Sequence, residues 1–247
     1  MSVDKNAQRI QSLFGEIAPR YDFLNHLLSC GIDRYWRWRT VRRTANRETR
    51  RILDVCTGTA DLAIAYDRRL RRLTQNDHRI IGTDFCEPML EPGRRKVARM
   101  NADARISLQV ADTLHLPFED GSFDLVSVAF GLRNVADTDA GLREMTRVCR
   151  PGGTVVILEF TLPRNRIIRW GYRGYFRWIL PLIGQCVARN HQAAYHYLPA
   201  SVGEFPQYET LLERMEQAGL TNLNMRPLSF GIATLYTGQN NKISRFT

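Results

Sequence analysis

The stretch Arg51-Ile52-Leu53-Asp54-Val55-Cys56-Thr57-Gly58-Thr59-Ala60-Asp61-Leu62 decides how the chain folds. Ile52, Leu53 and Val55 form the short apolar run of a buried parallel strand, and Thr57 to Ala60 turn it into a helix carrying Leu62, Ile64 and Leu70. A strand, a tight turn and a helix N-terminus in this order open a doubly wound α/β sheet. Asp54 puts a carboxylate at the strand's end. The small residues Cys56, Gly58 and Ala60 let a ligand approach the backbone, and the first amides of the helix face the same crevice.

Such a crevice suits a nucleotide or nucleoside. The fingerprint G-x-G-x-x-G is absent, because Gly58 is the only glycine here; what remains is the acid-plus-small-residue loop used by S-adenosylmethionine enzymes. A purely structural strand-turn-helix reads the same way, so the next strands carry the argument. His78 to Asp84 form a second strand ending in an acid, close to the roughly 20-residue spacing at which a carboxylate meets a ribose diol. Asp84 is therefore the expected ribose ligand, with a helix N-cap before Glu87-Pro88 as its structural alternative. A third strand over 106–110 ends in Ala111-Asp112-Thr113, where an acid can accept from an adenine amine; Leu114, Leu116, Pro117 and Phe118 are expected around the purine. The fourth strand, 123–130, is largely apolar and so central. It delivers Gly131-Leu132-Arg133-Asn134 to the carboxyl edge where open parallel sheets hold their ligands. Arg133 and Asn134 are the chief catalytic candidates, and an ion pair with a neighbouring acid is the structural alternative for Arg133.

Working outward, Pro92 is expected to limit a helix over 87–100. A helix carrying Leu142, Met145 and Val148 precedes Pro151-Gly152-Gly153 and a strong strand over 154–160, and a helix over 208–218 leads to closing strands near 223–228 and 233–236. Residues 6–48 read as helices punctuated by Pro19 and Gly31, with Ile10, Leu13, Phe14 and Ile17 on one face and Leu24, Leu27 and Leu28 on the next. Trp36, Arg37, Trp38, Arg39, Arg42 and Arg43 read either as a basic solvated face or as part of a lid over the crevice. Between 163 and 197 aromatics alternate with arginines, which suits a lipid-water interface or long apolar substrate, RNA, or core packing under a basic face. His191 and His196 lack metal-ligand spacing; either is open as a proton acceptor.

At 247 residues and 44% hydrophobic content the chain can bury one sizeable core. One domain is expected over 1–247, divided into a helical cap (1–48), a cofactor-binding core (49–162), a substrate- or membrane-facing insertion (163–200) and a closing helix and strands (201–247). The net charge of +10 is almost wholly arginine, since Lys5, Lys96 and Lys242 are the only lysines, and suits an anionic membrane surface or a nucleic acid. Cys30, Cys56, Cys86, Cys149 and Cys186 are scattered and never in C-x-x-C, as expected of reduced cysteines in a cytosol without a zinc site. No apolar run approaches the roughly 20 residues of a membrane span, so a soluble or peripheral protein is expected.

Tyr21-Asp22-x-x-Asn25, Ser29-x-Gly31, Asp54-Val55-x-x-Gly58-Thr59-x-Asp61-Leu62, Phe130-Gly131-Leu132-Arg133-Asn134-Val135, Arg143-Glu144-Met145 and Leu158-Glu159-Phe160 together resemble the ubiquinone/menaquinone biosynthesis C-methyltransferase family. The likeness extends through 180–184 and Tyr195-x-Tyr197-Leu198-Pro199. It implies a seven-stranded class I S-adenosylmethionine-dependent methyltransferase fold and methylation of a ring carbon on a prenylated quinol, most like demethylmenaquinol. Benzoquinol methylation is the alternative; an RNA methyltransferase and a non-catalytic scaffold are more distant ones, and no nucleic acid is expected. By the resemblance Thr59, Asp84, Asp112 and Thr113 hold the cofactor. The sequence departs from the family pattern at Ala60, where glycine is frequent, at Ala129, where a serine often contacts cofactor, and at Ser229-Phe230-Gly231. The mechanism expected has Arg133 stabilising a phenolate, with Asn134 and Tyr21 orienting the ring.

Overall fold

The computed structural model describes residues 11–241 apart from 13, 16, 17, 19, 20, 75 and 176–191. The expectations for Ile10, Leu13, Ile17 and Pro19, for 176–184 and for His191 lie outside the described residues, as do those for the side chains of Leu24, Leu28, Tyr195 and His196.

The helices α1 (Tyr21–Leu28) and α2 (Ile32–Thr44) lie before the sheet, joined at Gly31, whose left-handed φ of 75° favours glycine. Alternation then follows: β1 (Arg51–Val55), α3 (Asp61–Thr74), β2 (Arg79–Asp84), α4 (Glu87–Arg99), β3 (Ile106–Val110), β4 (Phe123–Ala129), α5 (Thr138–Val148) and β5 (Cys149–Phe160). After these come α6 (Arg166–Gly174), α7 (Gln192–Glu204), α8 (Glu209–Gln217), β6 (Leu220–Leu228) and β7 (Ala233–Asn240). The seven strands lie in the order β3-β2-β1-β4-β5-β7-β6. The first five are parallel, and β7 inserts antiparallel between β5 and β6. The strand order reverses between β1 and β4, which is where such a sheet opens a ligand crevice at its carboxyl edge.

Both faces are covered, which explains the apolar runs of the central strands. Ile52, Leu125, Val156 and Leu158 pack with Leu62, Tyr66 and Leu70 of α3 on one face; Leu53, Val126, Val155 and Ile157 pack with Leu142 and Met145 of α5 and with Met215 of α8 on the other. Each fully buried aliphatic side chain contributes roughly 1.5–3 kcal/mol.

Several local expectations are corrected. The helix α4 continues through Pro92, at the cost of one backbone hydrogen bond, and ends at Arg99. Phe130 leaves β4 with a left-handed φ of 58°. Tyr208 precedes α8 with φ 55°, held because its N–H donates to the Tyr236 hydroxyl at 2.7 Å and its own hydroxyl donates to the Leu162 carbonyl at 2.8 Å. The closing strands are longer than their apolar patterns, because long-range pairing extends β7 to Asn240. On α2 the basic face divides. Trp36 and Arg37 are buried, whereas Trp38 and Arg42 are exposed, with the guanidinium 5.0 Å from the ring centroid.

Candidate active site

The loop after β1 takes left-handed backbone at alternate residues, Cys56 (φ 49°), Gly58 (53°) and Ala60 (66°), and so winds tightly over the carboxyl edge. Two buried carboxylates fix it from opposite sides. Asp84 accepts the Gly58 N–H at 2.9 Å and the Cys86 N–H at 3.0 Å, joining the loop to the end of β2. This differs from an N-cap of α4, whose N-cap residue is Cys86 and makes no side-chain cap. Asp54 lies behind the loop, where it accepts the Thr57 hydroxyl at 2.6 Å and the Ser127 hydroxyl at 2.8 Å. Burial raises both carboxyls to about 6 against the opposing pull of their hydrogen bonds.

Asp84, Gly58, Asp112, Thr113, Ala129 and Asn134 line one cavity above this loop, together with Tyr21. Asp112 stands exposed at the rim, accepting the Leu114 N–H at 2.9 Å, and the buried Thr113 hydroxyl lies 3.3 Å from the Cys56 sulfur. Asp54 and Thr59 are not on the cavity's wall. The Thr59 hydroxyl donates to Asp22 of α1 at 2.5 Å. The other Asp22 oxygen meets Lys96 Nζ at 2.8 Å, and Lys96 also reaches Asp61 at 2.6 Å. Thr59 thus ties the preceding helix to the loop. Of the residues expected around a purine, Leu114 is there; Leu116 and Phe118 belong to the core, Phe118 edge-on to Phe123 at 5.0 Å, and Pro117 is exposed.

A side chain at Gly131 would put its Cβ 2.4 Å from the Cys56 Cβ, so the close approach of the two loops requires glycine. Gly131→Ala is expected to lower stability by about 1–3 kcal/mol and to weaken cofactor binding, read by thermal melting and calorimetry. Ala60 presents the reverse case. Its left-handed conformation costs roughly 1–2 kcal/mol, partly offset by the entropy a glycine would lose, so Ala60→Gly is expected to raise the melting temperature by about 1–4 °C.

A second cavity, of about 470 Å³, adjoins the first, and Tyr21 and Phe130 line both. Its floor is aromatic: Phe130 and Phe160 stack with centroids 4.4 Å apart, and Trp36 meets both at about 6 Å. Trp36 is fixed by its indole N–H, which donates to the Ser229 hydroxyl at 2.8 Å. Arg133 stands on this wall and also makes the ion pair foreseen as its alternative. Its Nη1 donates to Glu159 at 2.8 Å and to the Phe130 carbonyl. Glu159 also accepts the Phe160 N–H at 2.9 Å, so the pair is anchored to the end of β5. Asn134 accepts the Tyr197 hydroxyl of α7 at 3.0 Å. Tyr21 bonds to Asn25, and burial raises its phenol.

Glu159 and Asp33 are not among the site residues expected from sequence, and Arg37 is expected there only in a basic solvated face or a lid. A signal existed for the first, a lone acid closing an apolar strand. For Asp33 and Arg37 it is the i, i+4 spacing of opposite charges on one helix. Burial alone would raise the Asp33 carboxyl, but the Ser29 hydroxyl at 2.6 Å and Arg37 outweigh it and hold the group below the ordinary carboxylate range.

A family model described as the ubiE/COQ5 methyltransferase family matches residues 2–240. The chain belongs to that family. Over 235 residues this ubiE/COQ5 methyltransferase is 45% identical to the ubiquinone/menaquinone biosynthesis C-methyltransferase UbiE of Geobacter sulfurreducens, covering 95% of this chain and 90% of that one. It is 39% identical over 233 residues to the demethylmenaquinone methyltransferase of Bacteroides fragilis, covering 94% and 93%. Among solved structures it is similar to an S-adenosylmethionine-dependent methyltransferase of Thermotoga maritima, a possible histamine N-methyltransferase, with a TM-score of 0.63 at 16% identity over 94% of this chain and 99% of that one. The cofactor of this methyltransferase fold is S-adenosylmethionine, and the first cavity fits it. Two carboxylates, the buried Asp84 and the rim Asp112, offer acceptors to a ribose and an amine, while Leu114 and Val135 offer apolar surface.

Proposed function

We propose that this ubiE/COQ5 methyltransferase methylates a ring carbon of a prenylated quinol, converting demethylmenaquinol to menaquinol. The observation that carries the reading is the meeting of the two cavities at Tyr21, one suited to the cofactor and the other apolar, aromatic-floored and bearing Arg133. The Bacteroides relative's name supports the naphthoquinol ring, and the Geobacter relative's name keeps the benzoquinol ring as the second arm of the test.

S-adenosylmethionine supplies an electrophilic methyl group. The chain's own residues must then make the ring carbon nucleophilic, which requires the reduced quinol and loss of its hydroxyl proton. Arg133, though paired with Glu159, favours the phenolate by donating guanidinium hydrogen bonds to its oxygen, while Asn134 and Tyr21 orient the ring toward the first cavity. A water or a histidine takes the hydroxyl proton, since a guanidinium is too basic to serve as an ordinary base. When the new C–C bond forms, the ring carbon sheds its hydrogen as a proton and aromaticity returns. With methyl-labelled S-adenosylmethionine and demethylmenaquinone, label is expected in menaquinone only when the quinone is chemically reduced. Transfer without reduction, or none to either quinol, overturns the reading.

The substrate's tail calls for a lipid surface, and α6 is suited to one. Ile167 and Trp170 are 79% and 80% exposed, beside Arg164, Arg166 and Arg169, while Ile168 and Tyr172 of the same helix line the second cavity. Among the described residues no helix is long and apolar enough to cross a membrane. Binding to vesicles is expected to require anionic lipid, to weaken as salt rises and to fall in Trp170→Ala; insensitivity to both salt and lipid charge removes the membrane reading.

A further inference from the structure

Two guanidinium groups, not one, stand on the wall of the second cavity. Arg133 is 5% exposed and Arg37 9%, and each is backed by a buried carboxylate, Glu159 for Arg133 and Asp33 for Arg37. Each lies over one ring of the stacked aromatic floor. The Arg37 carbon Cζ is 5.6 Å from the Phe130 centroid and that of Arg133 is 5.3 Å from the Phe160 centroid. In both side chains the Nε–H is buried without a hydrogen-bond partner. Buried donors normally find acceptors, and an unmet one costs about 1–3 kcal/mol. Two arginines lining an otherwise largely apolar cavity, one over each ring of its aromatic floor, point to a flat ligand that carries two oxygens.

We infer that Arg37 is a second contact for the substrate ring, holding the oxygen para to the one beside the reacting carbon, which Arg133 holds. This rests on the quinol reading above. Asp33 is the positioning residue. One of its oxygens accepts the Ser29 hydroxyl at 2.6 Å; the other meets His26 Nδ1 at 2.8 Å and Arg37, so the guanidinium is held from behind. Arg37 Nη2 is also 3.6 Å from Asp61. Because Asp33 balances its charge, Arg37 can present a directed donor to a neutral hydroxyl without leaving a naked buried cation when the cavity is empty of substrate. The two arginines then differ in task. Arg133 acts on the oxygen that becomes phenolate, and Arg37 selects rings carrying a second oxygen.

The test compares two substrates in the full-length protein: the demethylmenaquinol, and a 3-prenyl-1-naphthol, which keeps the hydroxyl beside the reacting carbon and lacks the para one. The variant is Arg37→Gln combined with Asp33→Asn, so that no buried charge is stranded, with Arg37→Lys as a second variant. Melting and S-adenosylhomocysteine affinity report that the fold is retained. In the double variant kcat/KM for the quinol is expected to fall by about tenfold to a hundredfold while that for the naphthol changes by less than about twofold. Arg37→Lys should keep part of the preference. The intrinsic reactivities of the two rings cancel, because each ring is compared with itself across variants. Equal losses for both rings, or an unchanged preference, overturn the role of Arg37 alone. A wild-type protein inert toward both rings overturns the quinol reading and this role with it.

Discussion

Arg133→Ala is expected to lower kcat toward the reduced quinol by about a hundredfold to a thousandfold at saturating cofactor, the cost of deleting one directed stabiliser of a developing oxyanion. Cofactor affinity should stay the same, because Arg133 lines the second cavity and not the first. The substitution also leaves Glu159 as a buried, unpaired carboxylate, which costs about 3–5 kcal/mol of stability. A single variant therefore confuses chemistry with folding. Arg133→Ala with Glu159→Gln separates them: melting temperature should return toward that of the parent, while turnover should not. In variants that keep measurable activity the rate should rise with pH over a more alkaline range, because the phenol loses the guanidinium donor that favoured its ionised form. A rate equal to the parent's would remove Arg133 from the mechanism.

The second large effect is expected at Asp84. Its carboxylate holds the Gly58 and Cys86 N–H groups and has further lone pairs to accept from a ribose diol. Asp84→Asn turns one acceptor into a donor facing those groups, and S-adenosylmethionine affinity should fall by about a hundredfold or more by calorimetry. The pH dependence has a definite sign. Burial lifts this carboxyl to about 6, so affinity in the parent should fall as pH drops through that value and the group takes up a proton, and Asp84→Asn should be flat over the same interval. Stability of the free protein runs the other way. A carboxyl whose folded value is raised contributes stability below its ordinary range that is lost as pH rises through about 6. Asp54, raised to the same value but off the cavity wall, should share in the stability slope and not in the affinity slope. If Asp54→Asn flattened the affinity profile and Asp84→Asn did not, the roles given to the two acids would be exchanged.

The contact between α1 and the loop after β1 is one that no sequence pattern carries. The resemblance implies Thr59 as a cofactor ligand, whereas its hydroxyl donates to Asp22 and so joins α1 to the loop. Asp54 behaves likewise, bonding Thr57 and Ser127. Both sit within a few residues of Gly58. The left-handed turns at 56, 58 and 60 decide which side chains face the crevice, and no apolar periodicity encodes them.

By itself the sequence determined the alternation of strands and helices, the central place of β1 and β4, and the carboxyl edge to which Asp84, Asp112 and Asn134 are delivered. Those properties follow from local patterns of two and 3.6 residues and from apolar runs long enough to be buried on both faces. Only the tertiary structure decided that Glu159 neutralises Arg133, and that this pair and the Asp33–Arg37 pair stand beside one aromatic floor. A buried charge must find its partner wherever the fold brings one. Arg133 finds its partner on the next strand and Arg37 one turn back along its own helix, but it is the packing of α2 against the ends of β4 and β5 that faces both toward one cavity.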